Sequence, residues 1–191
     1  MLATVVNGRV GSCVCLANGA LRCDGATAAL GQLMRPAHGC TARRRSFVGT
    51  AKTTGKPKGV AFTHRAWLEI GRNWFFTLPP VSPGDVCMHI APISHASGYM
   101  FVPIWLMGGV NLVVEKYQVD TVVSLMEKEQ VAYMFVAPTM VNDIMQVAGV
   151  ESKDWSHLKC LMIGAAPITE AAVCKAHSIW GDALCQLYGQ S

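Results

Sequence analysis

The chain has 191 residues, 51% hydrophobic and 15% charged, with 16 Lys/Arg against 12 Asp/Glu and a formal net charge of +4. That length suffices to bury a substantial core as one domain. No uninterrupted apolar run approaches the roughly 20 residues of a membrane-spanning helix. The longest, residues 99–110, is interrupted by Pro103 and Gly108-Gly109. A secretory signal is not expected, because no basic residue precedes Arg9 and the short apolar start breaks at Asn7-Gly8-Arg9.

The charge is unevenly placed. Residues 1–52 carry seven basic residues (Arg9, Arg22, Arg35, Arg43, Arg44, Arg45, Lys52) against the single acid Asp24, whereas the remainder carries nine against eleven. One reading of this asymmetry is a basic leader that docks on nucleic acid or an anionic membrane. Against it, no aromatic residues alternate with the arginines for base stacking. The other reading is that the stretch is foreign to the rest, a shifted frame, a wrong start or a fusion scar, since it shows neither helical nor strand periodicity. Three arginines within residues 41–48 argue against a buried strand there. Cys13, Cys15, Cys23 and Cys40, with His38, lack the paired Cys-x-x-Cys spacing of structural zinc sites. Cys87, Cys160, Cys174 and Cys185 fall in apolar strand or helix patterns, where cysteine acts as a small buried hydrophobe in a reducing compartment. A cytoplasmic protein is expected.

The run Thr53-Thr54-Gly55-Lys56-Pro57-Lys58-Gly59-Val60 has what a polyphosphate-holding loop needs. Glycine lets backbone N–H groups approach phosphate oxygens, threonine hydroxyls donate, and a lysine ammonium supplies a compact positive charge. It is not a Walker loop, because Pro57 follows the first lysine and the chain continues as an apolar strand instead of opening a helix. An ordinary turn between elements is the competing reading.

From there, short apolar runs predict strands over residues 59–62, 85–90, 111–115, 132–136, 159–164 and 183–188. Helical patterns lie over 64–76, 97–107, 120–130, 138–147 and 169–178. Asp120 is expected to cap the helix that buries Val123 and Met126, and Pro138 suits a first helical turn because its missing N–H needs no partner. Strands alternating with helices of this length predict an α/β fold with a mostly parallel sheet flanked by helices. Trp67, Trp74, Phe75 and Phe76 are expected in the core, and His64, His89, His157 and His177 in structural roles.

Four segments in order resemble the adenylate-forming superfamily of acyl- and aryl-CoA synthetases, peptide-synthetase adenylation domains and luciferases. They are the Thr53–Val60 run, then Ala91-Pro92-Ile93-Ser94-His95-Ala96-Ser97-Gly98, then Leu161-Met162-Ile163-Gly164-Ala165-Ala166-Pro167-Ile168, and finally Leu187-Tyr188-Gly189-Gln190-Ser191. The second is similar to the family's Pro-x-x-His-x-x-Gly, the third to Gly-Gly-Ala-Pro-Leu, and the last to the start of Tyr-Gly-x-Thr/Ser-Glu. One departure precedes the first segment, where Lys52 replaces a loop glycine and would be strained if that position needs positive φ.

The resemblance implies that residues 53–191 are a partial AMP-binding domain, a fragment of the large N-terminal domain, with 1–52 a poorly ordered leader outside the family. It implies that Thr53, Thr54, Gly55, Lys56 and Lys58 hold the ATP phosphates. Gly164, Ala165, Ala166, Tyr188, Gly189, Gln190 and Ser191 would hold adenine and AMP, and His95 and Gly98 would line the acyl pocket. The implied reaction joins a carboxylic acid to AMP with loss of pyrophosphate, then forms a CoA thioester. ATP, Mg2+ and CoA are the implied cofactor, metal and co-substrate. The family's magnesium-binding glutamate would follow Ser191, so no metal ligand is assigned and no residue is named catalytic. The chain is expected to be inactive or weakly active by itself. A noncatalytic nucleotide- or acyl-binding module is the second possibility, and the basic-leader docking protein the third.

Overall fold

A computed structural model describes residues 2–6, 9–15, 21–24, 45–50 and 58–189, with side chains at 65–66 and 68–189. The strands are β1 (Leu2–Val6), β2 (Arg9–Cys15), β3 (Leu21–Asp24), β4 (Arg45–Thr50), β5 (Lys58–Thr63), β6 (Val86–His89), β7 (Val110–Val113), β8 (Val131–Val136), β9 (Cys160–Ile163) and β10 (Leu184–Gln186). The α-helices are α1 (His64–Thr77), α2 (Gly98–Leu106), α3 (Val119–Lys128), α4 (Pro138–Met145) and α5 (Glu170–Trp180).

Five strands in the order β7-β6-β8-β9-β10 pair in parallel. Each link between them is a helix or a helix with a turn, as the alternation of patterns requires. The strands are short, and the inner ones are buried on both faces, so they read as apolar runs such as Val131–Val136, in which every residue is buried, whereas the edge strand β10 is only partly buried. Alternate side chains separate into two cores. Val86, Met88, Met134, Val136, Leu161 and Ile163 pack with the inner faces of α3, α4 and α5. Cys87, Tyr133, Phe135, Cys160 and Met162 face the opposite way, against Trp74 of α1 and Met100 and Ile104 of α2. A register shift between Val86 and Cys87 brings both Ala132 and Tyr133 to this second face.

The helix ends follow their sequences. Pro138 occupies the first turn of α4, where a missing N–H is harmless. Thr169 caps α5 by accepting from the Ala172 N–H at 3.3 Å. Asp120 does not cap α3. That helix starts one residue earlier, after an extended Gln118, so Asp120 lies inside the first turn, where its charge favours the positive end of the helix dipole. Val123 and Met126 are buried as expected.

Two expectations are corrected on the N-terminal side. Strands occur at Leu2–Val6, Arg9–Cys15 and Leu21–Asp24, and β3 extends the sheet by pairing antiparallel with β7. Backbone ladder bonds need no side-chain alternation, so aperiodic sequence did not preclude them. Arg45–Thr50 is also a strand, paired antiparallel with Lys58–Thr63 in a separate two-stranded ribbon. A ribbon of two strands imposes no sheet core in which an arginine must be hidden. The helical aromatics divide. Trp74 is buried, whereas Phe76 is 86% exposed. Among the described residues, no helix is long and apolar enough to cross a membrane.

Candidate active site at the carboxyl ends of the parallel strands

In open parallel sheets the carboxyl ends of the strands are where turns and helix starts converge on a ligand. Most of the described candidate residues meet there. β9 ends at Ile163 and the chain turns through Gly164, Ala165, Ala166 and Pro167 before α5. β10 ends beside it, and Leu187 N–H donates to Ile163 O at 2.8 Å, bringing Tyr188 and Gly189 alongside that turn. Gly164 N–H donates to Val136 O at 3.1 Å, which fixes the turn to the end of β8 as well.

The turn has no room for larger residues at its base. A Cβ on Gly164 would meet the Phe135 ring at 2.9 Å and Leu187 O at 3.2 Å. Ala165 follows in the left-handed region at φ 75. Its side chain and those of Ala166 and Pro167 are exposed, leaving a low, small-residue surface. Alanine pays about 1–2 kcal/mol for that conformation, a penalty glycine avoids. Ala165→Gly is therefore expected to stabilise the protein by about 0.5–1 kcal/mol after the extra unfolded-state freedom of glycine is subtracted. Urea unfolding measures it.

Tyr188 is 86% exposed, so no described protein group covers its ring. Lys58 opens β5, which runs directly into α1, and α1 packs on α2. Thr53, Thr54, Gly55 and Lys56, with Gln190 and Ser191, lie outside the described residues, as does Lys52.

His95 and Gly98 lie at the end of β6, separated from β9 by β8. They belong to a tight turn in which His95 N–H donates to Pro92 O (3.0 Å) and Gly98 N–H to His95 O (2.9 Å). His95 is exposed. Gly98 is buried, and a Cβ there would overlap the Ile93 carbonyl oxygen. Its need for glycine is thus set by the backbone of its own turn.

Beneath this turn is a group that the sequence did not single out. His89, Ser97 and Asn111 are the buried polar side chains among the described residues. His89 Nδ1 lies 2.9 Å from Ser97 Oγ, and Nε2 lies 2.8 Å from Asn111 Oδ1. The Asn111 amide donates to Phe101 O at 3.1 Å, which turns its oxygen toward the imidazole. An oxygen can only accept, so Nε2 carries the proton and Nδ1 accepts from the Ser97 hydroxyl. Burial holds the His89 pKa below its ordinary value, outweighing the bonds to Asn111 and Ser97 that raise it, and keeps the ring neutral. The available signal was a histidine closing the otherwise apolar strand Val86-Cys87-Met88-His89.

The side chain of His64 lies outside the described residues, and His177 is exposed. His157 bonds Met126 O at 3.1 Å, and Lys159 pairs with Asp85 at 2.7 Å at the amino ends of β9 and β6. Burial pushes the Cys87 and Cys160 thiols up, so neither is a thiolate nucleophile. Cys174, expected buried, is exposed. Among the described residues, no group of three or more His, Cys, Asp or Glu side chains is arranged to hold a metal ion.

A model of the AMP-binding enzyme family matches residues 50–191. The chain belongs to that family. The medium/long-chain fatty-acid–CoA ligase FadD8 of Mycobacterium tuberculosis is 27% identical over 146 residues, 74% of this chain and 25% of the ligase. Feruloyl-CoA synthase of Amycolatopsis is 29% identical over 146 residues, 74% of this chain and 29% of the synthase. The N-terminal domain of FACL13 from Mycobacterium tuberculosis has the same fold, with a TM-score of 0.65 at 23% identity over 76% of this chain and 36% of that one. The five parallel strands and their flanking helices, all within the matched residues, therefore have the fold of the N-terminal domain of adenylate-forming enzymes. The chain spans about a quarter of the length of the curated relatives it matches.

Proposed function

We propose that this chain is the nucleotide- and acyl-binding part of an ATP-dependent carboxylate–CoA ligase acting on fatty or aromatic acids in the cytoplasm. The observation that carries the reading is the convergence of the 164–166 turn and Tyr188-Gly189 at the carboxyl ends of β9 and β10, within the segment that the family model matches. The exposed small-residue turn offers a flat surface for adenine, and the exposed Tyr188 ring is free to close over it.

A carboxylate is a poor electrophile because its negative charge repels nucleophiles. Joining it to AMP, with pyrophosphate leaving, creates an acyl group that the CoA thiol can attack. The main requirement is neutralisation of phosphate charge. In this proposal Thr53, Thr54, Gly55, Lys56 and Lys58 meet that need, and Gln190 and Ser191 complete the AMP side. His95 and Gly98 lie on the acyl side. His95 is not assigned as a base, since an ionised carboxylate attacking the α-phosphate has no proton to lose. Mg2+ enters only as the counter-ion of the nucleotide phosphates.

The domain division is proposed at residues 52 and 53. The family match beginning at residue 50 supports it, while the β4–β5 ribbon bridges that boundary. The 191-residue chain assayed by itself is proposed to bind substrates and to turn over weakly. Pyrophosphate release at an ordinary ligase rate would contradict this. Lys58→Ala is expected to weaken ATP binding about 10- to 100-fold, the loss of one or two charge-assisted bonds. Calorimetric titration tests it, and equal affinity in both proteins rejects Lys58 as a phosphate ligand.

A further inference from the structure

The buried polar side chains among the described residues form one network, and it lies under the 92–98 turn. The other buried residues of the two cores are hydrophobic types, whose polar side-chain atoms are the ring N–H groups of Trp74, Trp155 and Trp180, the Tyr133 hydroxyl and the cysteine thiols. A buried polar cluster offers little net stability over an apolar one, so its placement calls for a use. Ser97 precedes α2, the position at which serine ordinarily accepts from the backbone of the first turn, yet it makes no side-chain cap bond. Its hydroxyl goes to His89 Nδ1 instead. His89 is tied in turn to Asn111 on the neighbouring β7, and Asn111 to the backbone of α2 at Phe101. The link therefore joins the end of β6, the turn, the start of α2 and β7.

We propose that His89, acting through Ser97 and Asn111, is the positioning residue of the 92–98 turn. By holding that turn, it sets carboxylate binding independently of nucleotide binding. This rests on the reading of the turn as the acyl side. With Nε2–H committed to Asn111, the ring offers Ser97 an acceptor in a single orientation. Ser97 in turn fixes Gly98 against the Ile93 carbonyl and, through the turn's own hydrogen bonds, the placement of His95. The adenine-side turn is tied to β8 and β10 instead, so the two halves are held by separate contacts.

The test uses the full 191-residue chain with ATP and decanoate as probes, and amide hydrogen exchange as a readout that needs no ligand. In Ser97→Ala the exchange of the His95 and Gly98 amides is expected to quicken about tenfold, the equivalent of one lost hydrogen bond. The Gly164 and Leu187 amides should be unchanged. Decanoate binding should weaken by about the same factor with ATP affinity within about twofold, and Ser97→Thr, which keeps the hydroxyl, should restore it. His89→Gln, which keeps a donor toward Asn111 and lacks the Nδ1 acceptor, must give the same split. Unchanged exchange at His95 and Gly98, or a parallel loss of ATP and decanoate binding, overturns the proposal. So does a wild-type chain that binds ATP and not decanoate. A wild-type chain that binds no ATP overturns the nucleotide reading itself, and this proposal with it, before any variant is compared.

Discussion

Gly98→Ala is expected to destabilise the protein by about 4 kcal/mol, in the range reserved for a substitution that the backbone cannot accommodate. The new Cβ would overlap the Ile93 carbonyl oxygen and stand 2.8 Å from its carbon and 3.3 Å from its Cα. None of these atoms is the far end of a flexible side chain. Relief requires opening the turn, which draws Ser97 away from His89 and leaves buried polar atoms without partners. Gly84→Ala provides the contrast. Its φ is +91 and nothing lies within 4 Å of the added methyl, so strain alone applies, about 1–2 kcal/mol. Urea unfolding of the two variants should rank them in that order. Equal losses would show that the 92–98 turn is soft.

His89→Leu is expected to cost about 3–4 kcal/mol, because it strands the Ser97 hydroxyl and the Asn111 oxygen in an apolar surrounding. Its pH profile separates this cause from simple loss of packing. The folded-state pKa of His89 is depressed, so the unfolded chain takes up a proton that the folded protein refuses. The stability tied to neutral His89 is fully present above the unfolded-state value of about 6.5. It falls as pH drops below that value, by about 1.4 kcal/mol per pH unit, until the lower folded-state pKa is reached. His89→Leu should lack this component, giving a flatter profile than wild type below about pH 6.5. Parallel profiles would mean that His89 takes up its proton at the same pH in the folded and the unfolded protein, and that burial does not hold the ring neutral.

The parallel sheet was legible because its inner strands are buried on both faces. Runs such as Val131–Val136 carry no polar residue, and each is followed by a helical pattern with a recognisable start at Pro138 or Thr169. Helix α3 was placed correctly and its cap was not. An acid inside the first turn and an acid at the cap look alike in sequence, and only the extended backbone of Gln118 distinguishes them. Gly164 and Gly98 were singled out as ligand-side positions by the resemblance, and their need for glycine was not legible, since it comes from Phe135 and Leu187 at the first and the Ile93 backbone at the second. The His89 network was not legible. Its members are 8 and 22 residues apart, and they meet only because β6 and β7 pair in parallel with His89 opposite Val113, two residues beyond Asn111. Register of that kind is set by the whole sheet and leaves no local spacing. Phe76 was misplaced for a related reason, since a helical aromatic pattern does not say which edge of the helix the sheet will cover.

Nucleotide is proposed to bind at the carboxyl ends of β9 and β10. Two other concave regions provide internal controls, a cleft of about 350 Å³ between α4 and α5 lined by Asn142 and Lys175, and one of about 410 Å³ at the amino ends of the strands lined by Asp85 and Lys159. Backbone amide shifts of the full chain should be followed as ATP is added. Saturable shifts are expected at Gly164, Ala165, Ala166, Tyr188 and Gly189, with Asn142, Lys175, Asp85 and Lys159 unmoved. Saturable shifts confined to either of those clefts, or no shifts at the carboxyl ends when ATP is in excess, would contradict it.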